Sequence, residues 1–397
     1  MTTTGPGAPE TKARLPALDA LRGIVVVLMA LDHCRDYFSA YPYPPTDLDQ
    51  ASVALFLTRW ITHFCAPVFV LLAGTSAWLH AANGGLDRRA LQRFLVSRGL
   101  WIVFLELTWN SVMWRFDLHG IQLQVLWALG MSMLFLALLL WLPRAAIIAI
   151  GAAIVIGHHG LDGLHASDFG AEDSPAALGY SLLHEFHFIR SANGFEFGII
   201  YPLLPWIGVM ALGYGLGPVF AQPAAVRDRR LLQLGLAALL LFALLRLANG
   251  YGDPQHWAVN ARGAVFTALG WLNASKYPPS LIYLTMTLGP ALLLLSRLDH
   301  WRGRLATIVT TFGRVPMFFY LLHVPLIHLG SLAARYILFG PAAFSGERPD
   351  DLPASYEPSL LPVYGAWFIV LVLLYPLCRW FGDYKRRHRD QTWLSYL

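Results

Sequence analysis

Five ionisable side chains lie inside otherwise apolar stretches of the sequence, and all are of types that move protons. Asp32 and His33 are adjacent, while His63, Glu106 and His323 each lie in a later apolar stretch. A histidine accepts a proton near neutral pH, and a carboxylate orients the imidazole and stabilises its charged form. We therefore expect these five residues to be catalytic, with His33 or His63 as the general base and Asp32 as its orienting partner.

Histidines and carboxylates inside a membrane helix also have purely structural interpretations. A single histidine in a membrane helix often bonds a backbone carbonyl across a helix interface, and we favour that role for His328. A buried Glu106 has a structural role if it stays neutral. Ionisable groups are costly inside a membrane, so four of them at similar depths indicate function more strongly than one does.

The overall composition predicts an all-α, polytopic membrane protein. The chain has 397 residues, of which 56% are hydrophobic and 13% charged, whereas soluble domains average about 25% charged residues. Helices are required because lipid offers no partners to an open backbone. The lipid bilayer is thus an expected partner, and the net charge of +5 gives no case for nucleic acid. A homodimer is compatible with the sequence.

We predict about ten transmembrane helices, since about 20 apolar residues cross a bilayer. Counting about 1.5 Å of rise per residue brings His33, His63, Glu106 and His323 to comparable depths on four of them. The predicted segments are 17–39, 52–82, 92–114, 121–142, 144–157, 198–217, 230–250, 279–296, 312–338 and 361–381.

The distribution of Lys and Arg predicts the orientation. Basic residues concentrate at every second connection, beginning with the N-terminal tail, and basic connections stay on the cytoplasmic side. Both termini are therefore expected in the cytoplasm and the protein in the inner membrane. We divide the chain into a disordered cytosolic tail at 1–15, a membrane domain at 16–382 with an extracytoplasmic loop at 158–197, and a basic cytosolic tail at 383–397.

Polar residues at the two faces are candidates for ligand binding. Arginines near the cytosolic face suit the phosphates of a ligand, and those we select are Arg22, Arg98 and Arg314. The alternative for Arg22 is an ion pair with Asp19 three residues earlier. Towards the outer face, we expect Arg35, Asp36 and Asn110 to bind a second substrate.

The extracytoplasmic loop is rich in histidine, but we predict no metal site in it. Its five histidines are His158, His159, His165, His184 and His187. Their spacing matches no recognised ligand pattern. We interpret the loop as a polar cover over the outer face.

Several stretches resemble a bacterial group of membrane proteins similar to the catalytic domain of heparan-alpha-glucosaminide N-acetyltransferase. They include "LDALRGIVVVLMALDHCRDYF", "TRWITHFCAPVFVLLAGTSAWL", "YPLLPWIGVMALGYGLG" and "FGRVPMFFYLLHVPLIH". The likeness runs from about residue 14 to 382. It implies a transmembrane acyltransferase that takes an acetyl group from cytosolic acetyl-CoA and gives it to an amino sugar across the membrane.

The resemblance also implies an intramembrane histidine that serves the transfer and a CoA site between the helices. His323 matches a histidine in a late segment of the family. His33 falls where the animal enzyme has Asn, and the stretch in which that enzyme carries its reactive histidine is here "SAYPYPPTDLD", without one. The acceptor, a glycan or another small molecule, and the choice between N- and O-acylation stay open.

Other functions use the same residues. A proton-coupled transporter or flippase would relay protons through buried His and Glu, although no inverted repeat is evident. A haem or quinone protein would need two ligating histidines. The acyltransferase is the interpretation that also gives the cytosolic arginines a ligand, acetyl-CoA as donor substrate.

Overall fold

A computed structural model describes residues 15–341, 358–388 and 390–397 and shows a largely helical protein. Residues 1–14, most of the predicted N-terminal tail, lie outside the described residues. The helices are α1 (Pro16–Phe38), α2 (Val53–Thr62), α3 (Cys65–Gly84), α4 (Arg88–Leu105), α5 (Ser111–Arg115), α6 (Val125–Leu139), α7 (Arg144–Gly157), α8 (Pro175–His184), α9 (Leu204–Leu216), α10 (Ala224–Ala248), α11 (Ala264–Leu272), α12 (Leu281–Leu295), α13 (Arg304–Arg314), α14 (Pro316–Phe339) and α15 (Leu361–Arg387).

Seven helical stretches in the described ranges are long and apolar enough to cross a membrane. They are Val53–Gly84, Arg144–Leu161, Leu204–Ala221, Ala224–Ala248, Leu281–His300, Pro316–Phe339 and Leu361–Arg387. Three further predicted segments are also helices but fall outside this set. The helices α1 and α4 carry many charged residues, and α6 has only 15 residues.

A small β-sheet accompanies the helices, which the all-α prediction did not include. Its strands are β1 (Gly120–Leu123), β2 (His187–Arg190) and β3 (Glu196–Ile199), in the order β1-β3-β2. The strand β3 runs parallel to β1 and antiparallel to β2. Four residues a strand are too few to show an alternating pattern in the sequence, which is why the sheet was missed.

Two predicted spans are broken, and a proline accounts for each break. The stretch 52–82 divides at His63 because Pro67 has no N–H to donate to the His63 carbonyl. That carbonyl instead accepts a hydrogen bond from the Tyr283 hydroxyl, at 2.7 Å. The ninth span divides at Val315, and α14 begins at Pro316, a position that proline favours.

Alternating helices give the bundle two ends. The basic end holds the start of α1 and α4, the end of α3 and α15, and the turn between α13 and α14. The histidine-rich end holds the end of α1, the start of α2 and α15, the later turns of α14 and the loop 158–197. Within the predicted tail at 383–397, α15 continues to Arg387, and Tyr396 bonds Ser97 of α4 at 3.1 Å. Arg389 lies outside the described residues.

Candidate active site

A cavity of about 510 Å³ opens at the basic end, between α1, α3, α4 and α14. The structure brings the three predicted cofactor-binding arginines, Arg22, Arg98 and Arg314, into its lining, and Lys385 joins them. The remainder of the lining is mainly apolar, with Phe69, Ala73, Ile102, Leu129 and Met133 among its members. The cavity therefore combines several cations with a largely apolar interior.

Close packing of α13 on α1 brings Arg314 to the cavity. At Gly313, a Cβ atom would lie 1.8 Å from the carbonyl oxygen of Asp19, so only glycine lets α13 lie directly on α1. The next residue is Arg314, which thereby reaches the cavity that Arg22 lines. Arg22 also contacts Asp19 at 3.3 Å and donates to the Ser76 hydroxyl. Arg22 thus pairs with Asp19 and lines the cavity at the same time.

Aromatic rings hold Arg98 at the cavity. Its guanidinium carbon lies 5.1 Å from the centre of the Phe94 ring and 5.6 Å from that of Tyr396. Cation–π contacts of this kind orient a guanidinium without using its N–H donors. Because Arg98 makes no hydrogen bond with another residue in the described ranges, its donors are available for an anionic ligand.

A buried polar chain begins at the deep wall of the cavity. The wall includes Tyr320, whose hydroxyl lies 3.4 Å from Asn110 Oδ1. Asn110 donates to Glu106 Oε1 at 2.5 Å, and the backbone N–H of Trp127 donates to Glu106 Oε2 at 2.9 Å. A π-helical turn over Glu106–Asn110 directs both side chains inward. Glu106 also has a structural role, since it caps the first turn of α6.

The two imidazoles of His33 and His323 lie in contact, with 5.1 Å between their ring centres. His323 is fully buried, and its Nδ1 lies 2.6 Å from the carbonyl oxygen of Tyr320. A carbonyl only accepts, so Nδ1 carries the proton of the neutral ring. Nε2 has no hydrogen-bond partner among the described residues. His323 therefore offers a buried basic nitrogen one helical turn above the cavity wall.

His33 has different surroundings from those we expected. Its Nδ1 lies 3.5 Å from Asp36 Oδ2, and the edge of its ring meets Trp114 with 4.7 Å between centres. Asp36, which we had predicted to bind substrate, thus lies beside His33, although His33 Nδ1 makes no hydrogen bond among the described residues. The His33 side chain is 14% exposed, in contrast to His323. The pair thus extends from a fully buried ring to a partly exposed one.

Asp32 is held by arginines. Arg59 donates to both carboxylate oxygens at 2.7 and 2.6 Å, Arg35 donates at 3.0 Å, and the Thr62 hydroxyl at 2.9 Å. Arg35 also bonds Asp36 at 2.7 Å. Asp32 is therefore linked to Asp36 through Arg35, and it joins α1 to α2 through Arg59.

We expect Asp32→Asn to destabilise the protein by about 3–5 kcal/mol, because it removes the charge that compensates two nearly buried arginines. The measurement is the thermal unfolding of purified protein in detergent. Asp49→Asn is the matched control, since Asp49 is exposed, and it should change stability by less than about 0.5 kcal/mol. Equal unfolding temperatures for the two variants would contradict this account of Asp32.

His63 and His328 lie outside the His33–His323 contact. His63 sits at the break between α2 and α3, with its ring 5.4 Å from that of Tyr283, and its Nδ1 has no hydrogen-bond partner within the described ranges. His328 Nδ1 lies 3.2 Å from the Met113 carbonyl of α5. His328 therefore has the structural contact that we favoured for it.

Three residues at the site were not among those predicted from the sequence. Arg59 is a charge inside the apolar stretch "ALFLTRWITHF" and was detectable on that ground. Tyr320 precedes His323 by three residues on the same helix face. Lys385 was predicted to lie in a tail because the predicted apolar span ends at 381. In the structure, α15 continues to Arg387 and includes Lys385.

Comparison with known families gives the site its context. A family model described as Heparan-alpha-glucosaminide N-acetyltransferase, catalytic, matches residues 14–247, more than half of the chain. The chain belongs to this acetyltransferase family. The predicted resemblance is confirmed, and the match includes the helices that carry His33, His63 and Glu106. A comparison with curated proteins gives no match.

Membership of the acetyltransferase family agrees with the apolar helices. Together they identify a multi-pass transmembrane protein of an acetyltransferase family. Acetyl-CoA is the donor that such a family implies. The second half of the site, on α14 with Tyr320 and His323, lies beyond the matched residues and is joined to them by the contacts described above.

Proposed function

We propose that the protein transfers an acetyl group from acetyl-CoA, bound at the basic end, to an amine or hydroxyl acceptor at the histidine-rich end. The observation that carries this proposal is the position of Tyr320. Its side chain lines the basic cavity, and its carbonyl holds His323, which contacts His33. A chain of residues in contact thus leads from the cation-lined cavity to the exposed side of the imidazole pair.

The basic cavity suits the two chemical parts of CoA. Guanidinium groups bind phosphates through paired, charge-assisted hydrogen bonds, so we assign the phosphates to Arg22, Arg98, Arg314 and Lys385. The pantetheine arm would lie along the apolar lining. This arrangement directs the thioester towards Tyr320.

Two chemical routes are compatible with the imidazole pair. In direct transfer, an imidazole takes the acceptor proton as the acceptor attacks the acyl carbon; the carbon–sulfur bond breaks, and the proton passes to the CoA thiolate. In the two-step route, the imidazole nitrogen first bonds the acyl carbon and CoA leaves as its thiolate; the acceptor then displaces the imidazole, and the proton of the acceptor passes to the thiolate. The Tyr320 hydroxyl or the Asn110 amide is the donor for the negative charge on the acyl oxygen.

The acceptor would bind beside His33. Arg35, Asp36 and Arg59 present charged groups there, which suit the hydroxyl and amino groups of a glycan or a small metabolite. His63 lies one turn after Arg59, where α2 ends. We retain His63 as a second candidate for contact with the acceptor. Asn110 belongs to the donor side through its bond to Glu106.

We propose that the three remaining helical segments, α1, α4 with α5, and α6, also span the membrane, which gives ten crossings. The basic end would then face the cytoplasm with both termini, in line with the positive-inside rule. This orientation supplies acetyl-CoA to the basic cavity from the cytoplasm. The inner membrane is the corresponding location.

A binding experiment on purified protein tests the donor assignment. A ligand of the native state raises the unfolding free energy by about 2.7 kcal/mol at a concentration 100 times its Kd. We therefore expect acetyl-CoA and CoA to raise the unfolding temperature, with free pantetheine having a smaller effect because it lacks the adenosine phosphates. Absence of any shift with acetyl-CoA would contradict the proposal. Proton-driven transport without acetyl-CoA would favour the transporter instead.

A further inference from the structure

A compact cluster of three imidazoles and one carboxylate lies at the histidine-rich end. His158 and His159 follow α7, Asp162 lies in the next turn, and His184 is the last residue of α8. One ligand atom from each of His158, Asp162 and His184 lies within 4.8 Å of the others. The residues come from two helices that the sequence does not show to be close.

His158 has no polar contact to explain its burial. The residue is 3% exposed, and both of its ring nitrogens are buried without a hydrogen-bond partner in the described part of the chain. His184 Nδ1 is in the same condition. Leaving a buried polar group unpaired costs about 1–3 kcal/mol. The two unpartnered nitrogens of His158 therefore point to a ligand that accepts an imidazole lone pair.

The carboxylate of the cluster is held in a fixed position. The backbone N–H of Leu281, the first residue of α12, donates to His159 Nε2 at 3.0 Å, so the proton of this neutral ring lies on Nδ1 and is donated to Asp162 Oδ2 at 2.6 Å. His184 Nε2 lies 3.1 Å from Asp162 Oδ1. Burial raises the pKa of Asp162, but the hydrogen bonds with His159 and His184 outweigh that effect and hold it below its ordinary value.

We propose that His158, Asp162 and His184 bind one divalent cation of the zinc type. Two imidazoles and a carboxylate are a common ligand set for this ion. Atoms no more than 4.8 Å apart lie at most about 2.8 Å from the centre of their triangle, and Zn–N and Zn–O bonds of about 2.0–2.2 Å need only small side-chain rotations. The ion replaces the proton shared by His184 and Asp162.

The bound ion would join three helices at this end of the bundle. His158 connects it to α7, His184 to α8, and His159 extends the contact through Asp162 to the start of α12. A carboxylate hydrogen-bonded to a histidine that is itself held by backbone is an arrangement that orients metal ligands. The Asp162 side chain is 22% exposed, which gives the ion a path from solvent and leaves a coordination position for water.

Metal binding by the wild-type protein is the first test. Full-length protein is purified without a histidine tag, stripped with a chelator, and titrated with Co²⁺ and Zn²⁺, with Mg²⁺ in parallel. We expect one equivalent of Co²⁺ to give visible ligand-field bands that Zn²⁺ removes, and Mg²⁺ to leave the spectrum unchanged. Wild-type protein that binds neither Co²⁺ nor Zn²⁺ would overturn the proposal, whatever the variants do.

Four variants then locate the site. His158→Ala and His184→Ala should weaken Zn²⁺ binding by at least about 100-fold. His159→Ala should weaken it by about 10–100-fold, since it only orients Asp162. His256→Ala is the control because His256 is exposed on a loop of the same end. Unchanged binding in folded His158→Ala protein would overturn the site. If His158→Ala does not fold, Zn²⁺ binding is measured for Asp162→Asn instead.

Discussion

Replacing His323 or His33 by alanine is expected to lower the rate of acetyl transfer by about 10²–10⁴-fold, the range for loss of a general base. Both rings belong to the chain of contacts that runs from the basic cavity towards the proposed acceptor side. Residues that act as one unit lose activity in a non-additive manner. The double variant should therefore be about as inactive as either single variant. The measurement is the initial rate of label transfer from radiolabelled acetyl-CoA.

His300→Ala is the control for this prediction. The His300 side chain is 77% exposed at the basic end. The His300→Ala variant should therefore transfer acetyl groups at the wild-type rate. All variants should reach the membrane and retain their acetyl-CoA-dependent rise in unfolding temperature. If His33→Ala or His323→Ala keeps wild-type activity, that residue has no part in the reaction.

The double substitution of Arg98→Gln and Arg314→Gln is expected to raise the KM for acetyl-CoA by roughly 100-fold, about tenfold for each lost charge. The kcat should change little, because these arginines would hold the phosphates equally in the ground and transition states. Steady-state kinetics with varied acetyl-CoA measure the two parameters separately.

The matched control for the arginines is Arg229→Gln with Arg230→Gln. Both residues are exposed on α10 at the basic end and lie outside the lining of the cavity. The control removes the same charge and should leave the KM unchanged. An equal rise in KM in both double variants would mean that acetyl-CoA is attracted only by the total positive charge of the basic end, and not by specific contacts with Arg98 and Arg314.

The helical segments were largely predictable because an apolar stretch in lipid has few alternatives to a helix. Their interruptions had local signals that we did not use: Pro67 frees the His63 carbonyl, and Pro316 begins a new helix. The second break matters for the depth estimate. His323 was counted from Phe312, which belongs to α13, whereas the helix that carries His323 begins four residues later.

The partners of the polar residues were less predictable than their burial. The sequence identifies Asp32, His33 and Asp36 as unusual in an apolar helix, yet Asp32 pairs with Arg59 of α2 and Asp36 lies beside His33. Such pairings depend on the rotation of each helix about its own axis. Likewise, the spacing of His158, Asp162 and His184 in the chain gives no metal pattern, because the cluster forms only when the end of α8 lies against the turn that follows α7.

The most direct test of the central claim uses membrane vesicles of known orientation from cells that naturally carry the protein. Acetyl-CoA labelled in its acetyl group is supplied to inside-out and to right-side-out vesicles, and the labelled acceptor is then measured. The account predicts label only in inside-out vesicles, where the basic end faces the added donor, and loss of that label with His323→Ala. Equal labelling of both vesicle types, or labelling that does not depend on His323, would contradict it.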